Sequence, residues 1–267
     1  MTSLVSRLLV AAAGLPIVLG AIWLGGWWLF ALLAAGGLVA LHEFYVITRP
    51  LRPLVPAGYA GLVLTLAGAQ TGGLRWMIGG FLATFVLAFV LNAVASTRAP
   101  ATAAIGSTVL GTAWIGFGLG HLVLLRDVPV HARLVCLTVV IAVFSAATAA
   151  YFVGRVFGRH RLAPAISPAK TWEGFVGGFA AAVFVTFVAF YSDKKTFLSV
   201  GHAIILGVVL ALAEATGDLF ESTFKRDMQV KDSGSLLGGH GGVLDRIDAL
   251  LFAIPASYYL LAGFGVA

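Results

Sequence analysis

Between Leu8 and Leu41 the chain carries no Asp, Glu, Lys, Arg or His, a run of 34 residues. One helical pass across a bilayer takes about 20 residues, so this run must cross twice, with Gly25 and Gly26 placed for the turn. Splitting the remaining apolar stretches at charged or Pro/Gly-rich interruptions predicts about nine helices. They fall at residues 8–24, 27–47, 55–71, 74–95, 104–125, 133–156, 172–191, 200–221 and 247–265.

Composition strengthens this reading. Of 267 residues, 60% are apolar and 10% charged, against roughly a quarter charged in an ordinary soluble domain. The expected fold is therefore all-α, a polytopic integral membrane protein without a soluble domain. A net charge of +6 would suggest nucleic acid in a soluble protein, but here membrane topology accounts for it. On the nine-helix reading one side carries Arg7, Arg49, Arg52, Arg98, Arg155, Arg159, Arg161, Lys170, Lys225, Arg226, Lys231 and Arg246, while the other carries only Arg75, Arg126, Arg133, Lys194 and Lys195. The positive-inside rule then puts the first side, and the amino terminus, in the cytoplasm. No nucleic-acid partner is expected, and the location implied is the cytoplasmic (inner) membrane. The start "MTSLVSR" imitates a secretory signal, but the apolar run continues into a second span without a polar cleavage region, so retention is expected. Cys136 is the sole cysteine, which excludes an internal disulfide and a cysteine metal cluster.

The chain contains no internal repeat. It divides into a scaffold of membrane helices, residues 1–130, and a carboxyl-terminal membrane region, residues 131–267, expected to carry the chemistry. The two longest polar connections, 157–171 and 222–246, both fall on the cytoplasmic side. Irregular backbone near membrane depth is tolerated where it packs on protein or lines a wet cavity.

Charge of both signs is concentrated in residues 214–248, which hold seven of the eleven acids: Glu214, Asp218, Glu221, Asp227, Asp232, Asp245 and Asp248. Glu214, Asp218 and Glu221 follow i, i+4, i+7 spacing and share one face of the eighth predicted helix. Carboxylates in a membrane helix are costly and are either paired or functional. Asp245 and Asp248 lie one turn apart at the start of the ninth, where acids also serve as ordinary caps. The preceding "GGHGG" admits close approach of backbone to a ligand, and exposed N–H groups there suit an anion. Carboxylates from two helices beside Lys and Arg suit a magnesium-bound phosphate, because magnesium takes oxygen ligands and substrate phosphates. His240 is either a phosphate donor or a loop hydrogen-bonding group.

The connection from Gly154 to Gly174, "GRVFGRHRLAPAISPAKTWEG", adds Arg155, Arg159, Arg161 and Lys170, with Ser167 and Thr171 as hydroxyl donors. Positive-inside anchoring explains the three arginines. It explains Lys170 less well. His121, His202 and Trp114 read as packing or interfacial residues, and Glu43 as a helix-end acid able to support a site. No Ser-His-Asp or Cys-His arrangement is present.

The segment Ser222 to Asp248, "STFKRDMQVKDSGSLLGGHGGVLDRID", resembles the signature of the phosphatidate cytidylyltransferases, also called CDP-diacylglycerol synthases, throughout its length. Ala149 to Gly178, including "SPAKTWEG", and "GDLFES" at 217–222 are similar to further family elements; the first half agrees only in being polytopic. Two positions depart from the pattern. Bacterial relatives commonly read Asp-x-Gly-Ala-Tyr where this chain has Ala147 to Tyr151, and Gly238 stands where Pro is usual.

The resemblance implies that CTP and phosphatidic acid give CDP-diacylglycerol and pyrophosphate with Mg2+, a second cation being admissible. The implied reactants are CTP and phosphatidic acid among membrane lipids, in a protein that could also form a homodimer. Asp218 and Asp245 are the leading candidates for metal ligands, expected to converge from different helices, with Asp232 and Asp248 behind them. Lys225, Arg226, Lys231, His240 and Arg246 are the catalytic candidates that would hold phosphates. Ser167, Lys170, Thr171, Gly239, Gly241 and Gly242 are the substrate-binding candidates. Rival readings are a transporter, which would predict repeat symmetry, a CDP-alcohol phosphotransferase, whose Asp-Gly-x2-Ala-Arg element is absent, and a catalytically silent relative lacking the acid at Ala147.

Overall fold

The computed structural model describes Gly14 and residues 16–94, 100–192, 197–234 and 241–266. Among the described residues the protein is built almost wholly of helices. Residues 16–24 form α1, followed by α2 (Gly26–Ile47), α3 (Val55–Val94), α4 (Ala101–Gly111), α5 (Gly118–Arg126), α6 (Ala132–Phe157), α7 (Trp172–Phe190), α8 (Val200–Asp227), α9 (Leu244–Ile247) and α10 (Leu250–Gly263). A wider π-helical turn, Thr112–Phe117, joins α4 to α5 into one continuous rod.

Six of these helices, with α4 and α5 taken as one, are long and apolar enough to cross a membrane. The all-α, polytopic architecture without a soluble domain is thus observed, but the count of nine is not reached among the described residues. Two of the nine predicted segments belong to α3. At 40 residues α3 exceeds one bilayer crossing, and it breaks at Gly72 and Gly73, the latter with φ of 68°, a conformation open to glycine. Its arms then run back along each other: a side chain on Gly68 would strike the Trp76 backbone, and one on Gly80 the Leu64 backbone. The first and ninth predicted segments correspond to α1, of which residues 16–24 are described, and to α10; those nine described residues and the 14 of α10 each fall short of a full crossing.

The chain forms two compact units. The first comprises Met1–Leu124 and Asp227–Ile247, the second Leu125–Arg226 and Asp248–Ala267. In the first, Leu41, Phe44, Leu62, Leu66, Met77 and Ile115 make a fully buried core. Trp114 packs edge-on against Phe44, and the Tyr45 hydroxyl donates to the Thr108 carbonyl at 2.9 Å. Trp114 and His121 are buried, as packing residues should be.

In the second unit α6 and α7 run antiparallel and touch through small residues. Ala146, Ala150 and Gly154 face Gly174, Gly178 and Ala182; a Cβ on Gly174 would lie 2.6 Å from the Ala150 carbonyl oxygen, and one on Gly178 2.8 Å from that of Ala146. Without a hydrophobic driving force between helices in lipid, such spacing lets backbones approach and gain dispersion contacts. α8 joins this pair at the Ala146–Ala182–Ala211 cluster. Between α6 and α7 the connection expected to be irregular folds into an antiparallel hairpin, β1 (Arg161–Ala163) against β2 (Ser167–Thr171), with Arg161 opposite Thr171.

Candidate active site

The hairpin and the facing stretches of α6, α7 and α8 enclose a cleft of about 610 Å³ in the second unit. Its rim and walls include Ala147, Tyr151, Arg155, Arg161, Ser167, Lys170, Thr171, Glu214 and Asp218. β2 carries Lys170 to α8, where its Nζ lies 2.8 Å from Asp218 Oδ2. Ser167, Lys170, Thr171 and Asp218 are thereby brought together at one cleft, and Glu214 joins them one turn earlier on α8.

The hairpin is fixed at both ends. Thr171 is the N-cap of α7: its buried side-chain oxygen accepts from the Gly174 N–H at 3.1 Å, filling a first-turn donor that would otherwise lack a partner. Glu173, to which the sequence reading gave no role, accepts from the Arg159 N–H at 3.1 Å and from His160 Nδ1 at 2.6 Å. An acid two residues after a Thr N-cap was the available signal. At the other end, Arg226 Nε donates to the Ile166 carbonyl at 3.1 Å. Arg226 therefore ties the last turn of α8 to the tip of the hairpin.

Three further acids lie along this side of α8. Glu214 and Glu221 are buried, and Lys225 Nζ sits 2.5 Å from Glu221 Oε2. Asp248 is buried against Glu221 and within electrostatic range of Asp218 and Lys225. The approach is close because position 217 is glycine: a Cβ there would come within 2.7 Å of the Asp248 carbonyl oxygen. These donors are all oxygen, which is the chemistry magnesium requires. Each of the two lysines neutralises one acid of the row. Among the described residues no three His, Cys, Asp or Glu side chains converge as a ready metal cage.

The remaining candidates lie in the first unit. Lys231, Asp232 and Arg246 are exposed. Asp245 holds its own loop, its carboxylate accepting from the Ser233 N–H at 3.0 Å and the Gly242 N–H at 2.7 Å. Gly241 adopts φ of 75°, and Gly242 is buried. Asp218 and Asp245 belong to different units, each engaged with its own neighbours. Gly239, His240 and the variant Gly238 lie outside the described residues.

Comparison with known proteins identifies the family. The model of the family described as "Cytidylyltransferase family" matches residues 5–264, nearly the whole chain. The chain belongs to the cytidylyltransferase family. A phosphatidate cytidylyltransferase of Staphylococcus haemolyticus is 33% identical over 261 residues, covering 96% of this chain and 98% of that protein. One of Haemophilus influenzae is 44% identical over 134 residues, covering 49% of this chain and 46% of that protein. A third, of Mycobacterium bovis, is 31% identical over 248 residues, covering 86% of this chain and 79% of that one. Cytidylyltransferase similarity therefore extends into the first half of the chain, where the sequence motifs alone gave no purchase.

Proposed function

We propose that this chain transfers the cytidylyl group of CTP to phosphatidic acid, forming CDP-diacylglycerol and releasing pyrophosphate. The observation that carries the reading is the Lys170–Asp218 pair at the wall of a cleft that also holds Arg155, Arg161 and Glu214, in a membrane protein of the cytidylyltransferase family. A phosphate oxygen of the lipid attacks the α-phosphorus of CTP. The new P–O bond forms as the bond between the α-phosphorus and its bridging oxygen to the β-phosphate breaks, and pyrophosphate leaves with that electron pair.

The attacking oxygen is already anionic near neutral pH, so the reaction needs neither a side-chain nucleophile nor a strong base. What it needs is alignment of two polyanions and compensation of their charge. Lys170, Arg155 and Arg161, all on the cleft, would meet phosphates, with Arg suited to forked contacts and Lys to a point charge. The Ser167 hydroxyl adds a donor. Lys225 and Arg226 are the further phosphate-binding candidates of the second unit on this proposal; Lys231, Arg246, Gly241 and Gly242, and from the sequence Gly239 and His240, are those of the first.

Asp218 and Asp248 are the acids best suited to hold magnesium in the second unit, with Asp232 and Asp245 as the candidates of the first. Magnesium, when bound, would neutralise the triphosphate and the departing pyrophosphate. The residues' own part is to present carboxylates on one side of α8 and to hold Lys170 against them until the nucleotide competes for it. On this proposal the cleft faces the cytoplasm and the protein lies in the inner membrane, a reading supported by the excess of Lys and Arg on one side of the topology expected from the sequence.

A slow or silent relative is the second reading, favoured by one observation: Ala147, where an acid is common, lines the cleft. The test is turnover of CTP by purified protein in vesicles containing phosphatidic acid, against ATP, GTP and UTP. CTP-dependent appearance of CDP-diacylglycerol supports the reading; nucleotide binding without product supports the second.

A further inference from the structure

We propose that Glu43, on α2, is a positioning residue that sets the backbone conformation at Ser233–Gly234 and at Gly242–Asp245, an inference that rests on the function proposed above. Glu43 is only 6% exposed in a unit whose core is hydrocarbon, where an ionised carboxylate persists only with its lone pairs satisfied. The segment supplies the donors. Glu43 Oε1 accepts from the Val243 N–H at 3.0 Å, and Oε2 from the Leu244 N–H at 2.8 Å and the Ser233 hydroxyl at 3.4 Å.

The Ser233 hydroxyl in turn accepts from the Asp245 N–H at 3.3 Å, so it links the Glu43 carboxylate to the Asp245 backbone, while the Ser233 N–H donates to the Asp245 carboxylate. Glu43 and Asp245 thus grip the same stretch from opposite ends of one network. Asp245 takes the N–H groups of Gly242 and Ser233, and Glu43 takes those of Val243 and Leu244. Hydrogen bonds from N–H to a charged acceptor are about twice as strong as neutral ones.

Steric fit supports the same role. A Cβ on Gly234 would lie 2.6 Å from Glu43 Oε1, and one on Gly242 would collide with the Glu43 carboxylate and the Ser233 hydroxyl. Two glycines of the polar stretch are therefore required by the acid that grips it. Close approach, rather than chain flexibility, is their use. Because the gripped backbone borders Gly241 and Arg246, its conformation decides how these phosphate-binding candidates are presented. Glu43 acts through that backbone and not on the reacting atoms.

The test uses the full-length protein in phosphatidate-containing vesicles and the variants Glu43→Gln, Ser233→Ala and their double. Glu43→Gln keeps the shape but turns an amide NH2 toward N–H donors. The expected result is a rise of about tenfold or more in KM for CTP, the order expected when one charge-assisted bond is lost. Ser233→Ala should give a smaller rise, and the double variant a KM within about twofold of Glu43→Gln alone, since both act through one network. A fall in kcat alone at unchanged KM, as from a smaller folded fraction, would overturn the proposal, as would independent multiplication of the two effects. Hydrogen exchange supplies a readout that does not need turnover: the Val243 and Leu244 amides should exchange at least about tenfold faster in Glu43→Gln. Unchanged exchange also overturns the inference, whereas absent turnover in the wild type overturns the proposed reaction and leaves the exchange result to decide the role of Glu43.

Discussion

Lys170 on the hairpin and Asp218 in the middle of the polar stretch of α8 form an ion pair of 2.8 Å at the wall of the cleft. Both are partly solvated, with 21% and 38% of their side chains exposed. Such a pair contributes only about 0–1 kcal/mol to folding, so its placement is better explained by the ligand than by stability. Lys170→Ala should therefore lower the apparent melting temperature little and yet reduce kcat/KM for CTP by about 100-fold, the order associated with loss of a charged contact to a transferring phosphoryl group. Steady-state kinetics and a thermal melt on the same preparation check both halves.

The α6–α7 contact makes a prediction about folding alone. At Gly178 the obstruction is backbone, the Ala146 carbonyl oxygen 2.8 Å from a built Cβ, so the helices must separate to admit a side chain. Gly178→Val should destabilise the protein by about 1–3 kcal/mol through overpacking. Gly201→Ala, where only Ser199 Oγ lies near at 3.9 Å, should leave the melting midpoint unchanged or raised. Thermal unfolding in detergent, followed by loss of the monodisperse peak, separates the two.

Ala147 gives a third expectation. It lines the cleft with Lys170, Glu214 and Asp218, so an acid there would add an oxygen donor to a row in which Asp218 and Glu221 are each paired with a lysine. Ala147→Asp should lower the magnesium concentration needed for half-maximal CTP turnover. A titration of rate against magnesium checks it; an unchanged midpoint would detach position 147 from the metal.

Hydropathy alone exposed most of the helices, because a membrane crossing is a long one-dimensional signal. The turn of α3 could also be read, since Gly72 and Gly73 interrupt the apolar run and one of them needs positive φ. The β-hairpin could not, as strands of three and five residues flanked by proline and charge leave no period to detect. Candidate residues on the hairpin and α8 were legible by type, but the contact between Lys170 and Asp218 depends on tertiary folding. Glu43 was harder still. It looked like a helix-end acid, and its partners lie 190 to 201 positions away. Asp245, read with Asp218 as a leading metal ligand, also accepts from the backbone N–H groups of Ser233 and Gly242, a local contact that its place beside a glycine turn allows.

The most direct measurement is the formation of radiolabelled CDP-diacylglycerol from CTP by purified wild type and Asp218→Asn in phosphatidate vesicles with magnesium. Asp218→Asn preserves size and removes the charge that Lys170 meets. The account predicts CTP-specific product from the wild type and a loss of at least about 100-fold in the variant. Equal rates from the two proteins, or no CTP-specific product from the wild type, would contradict it.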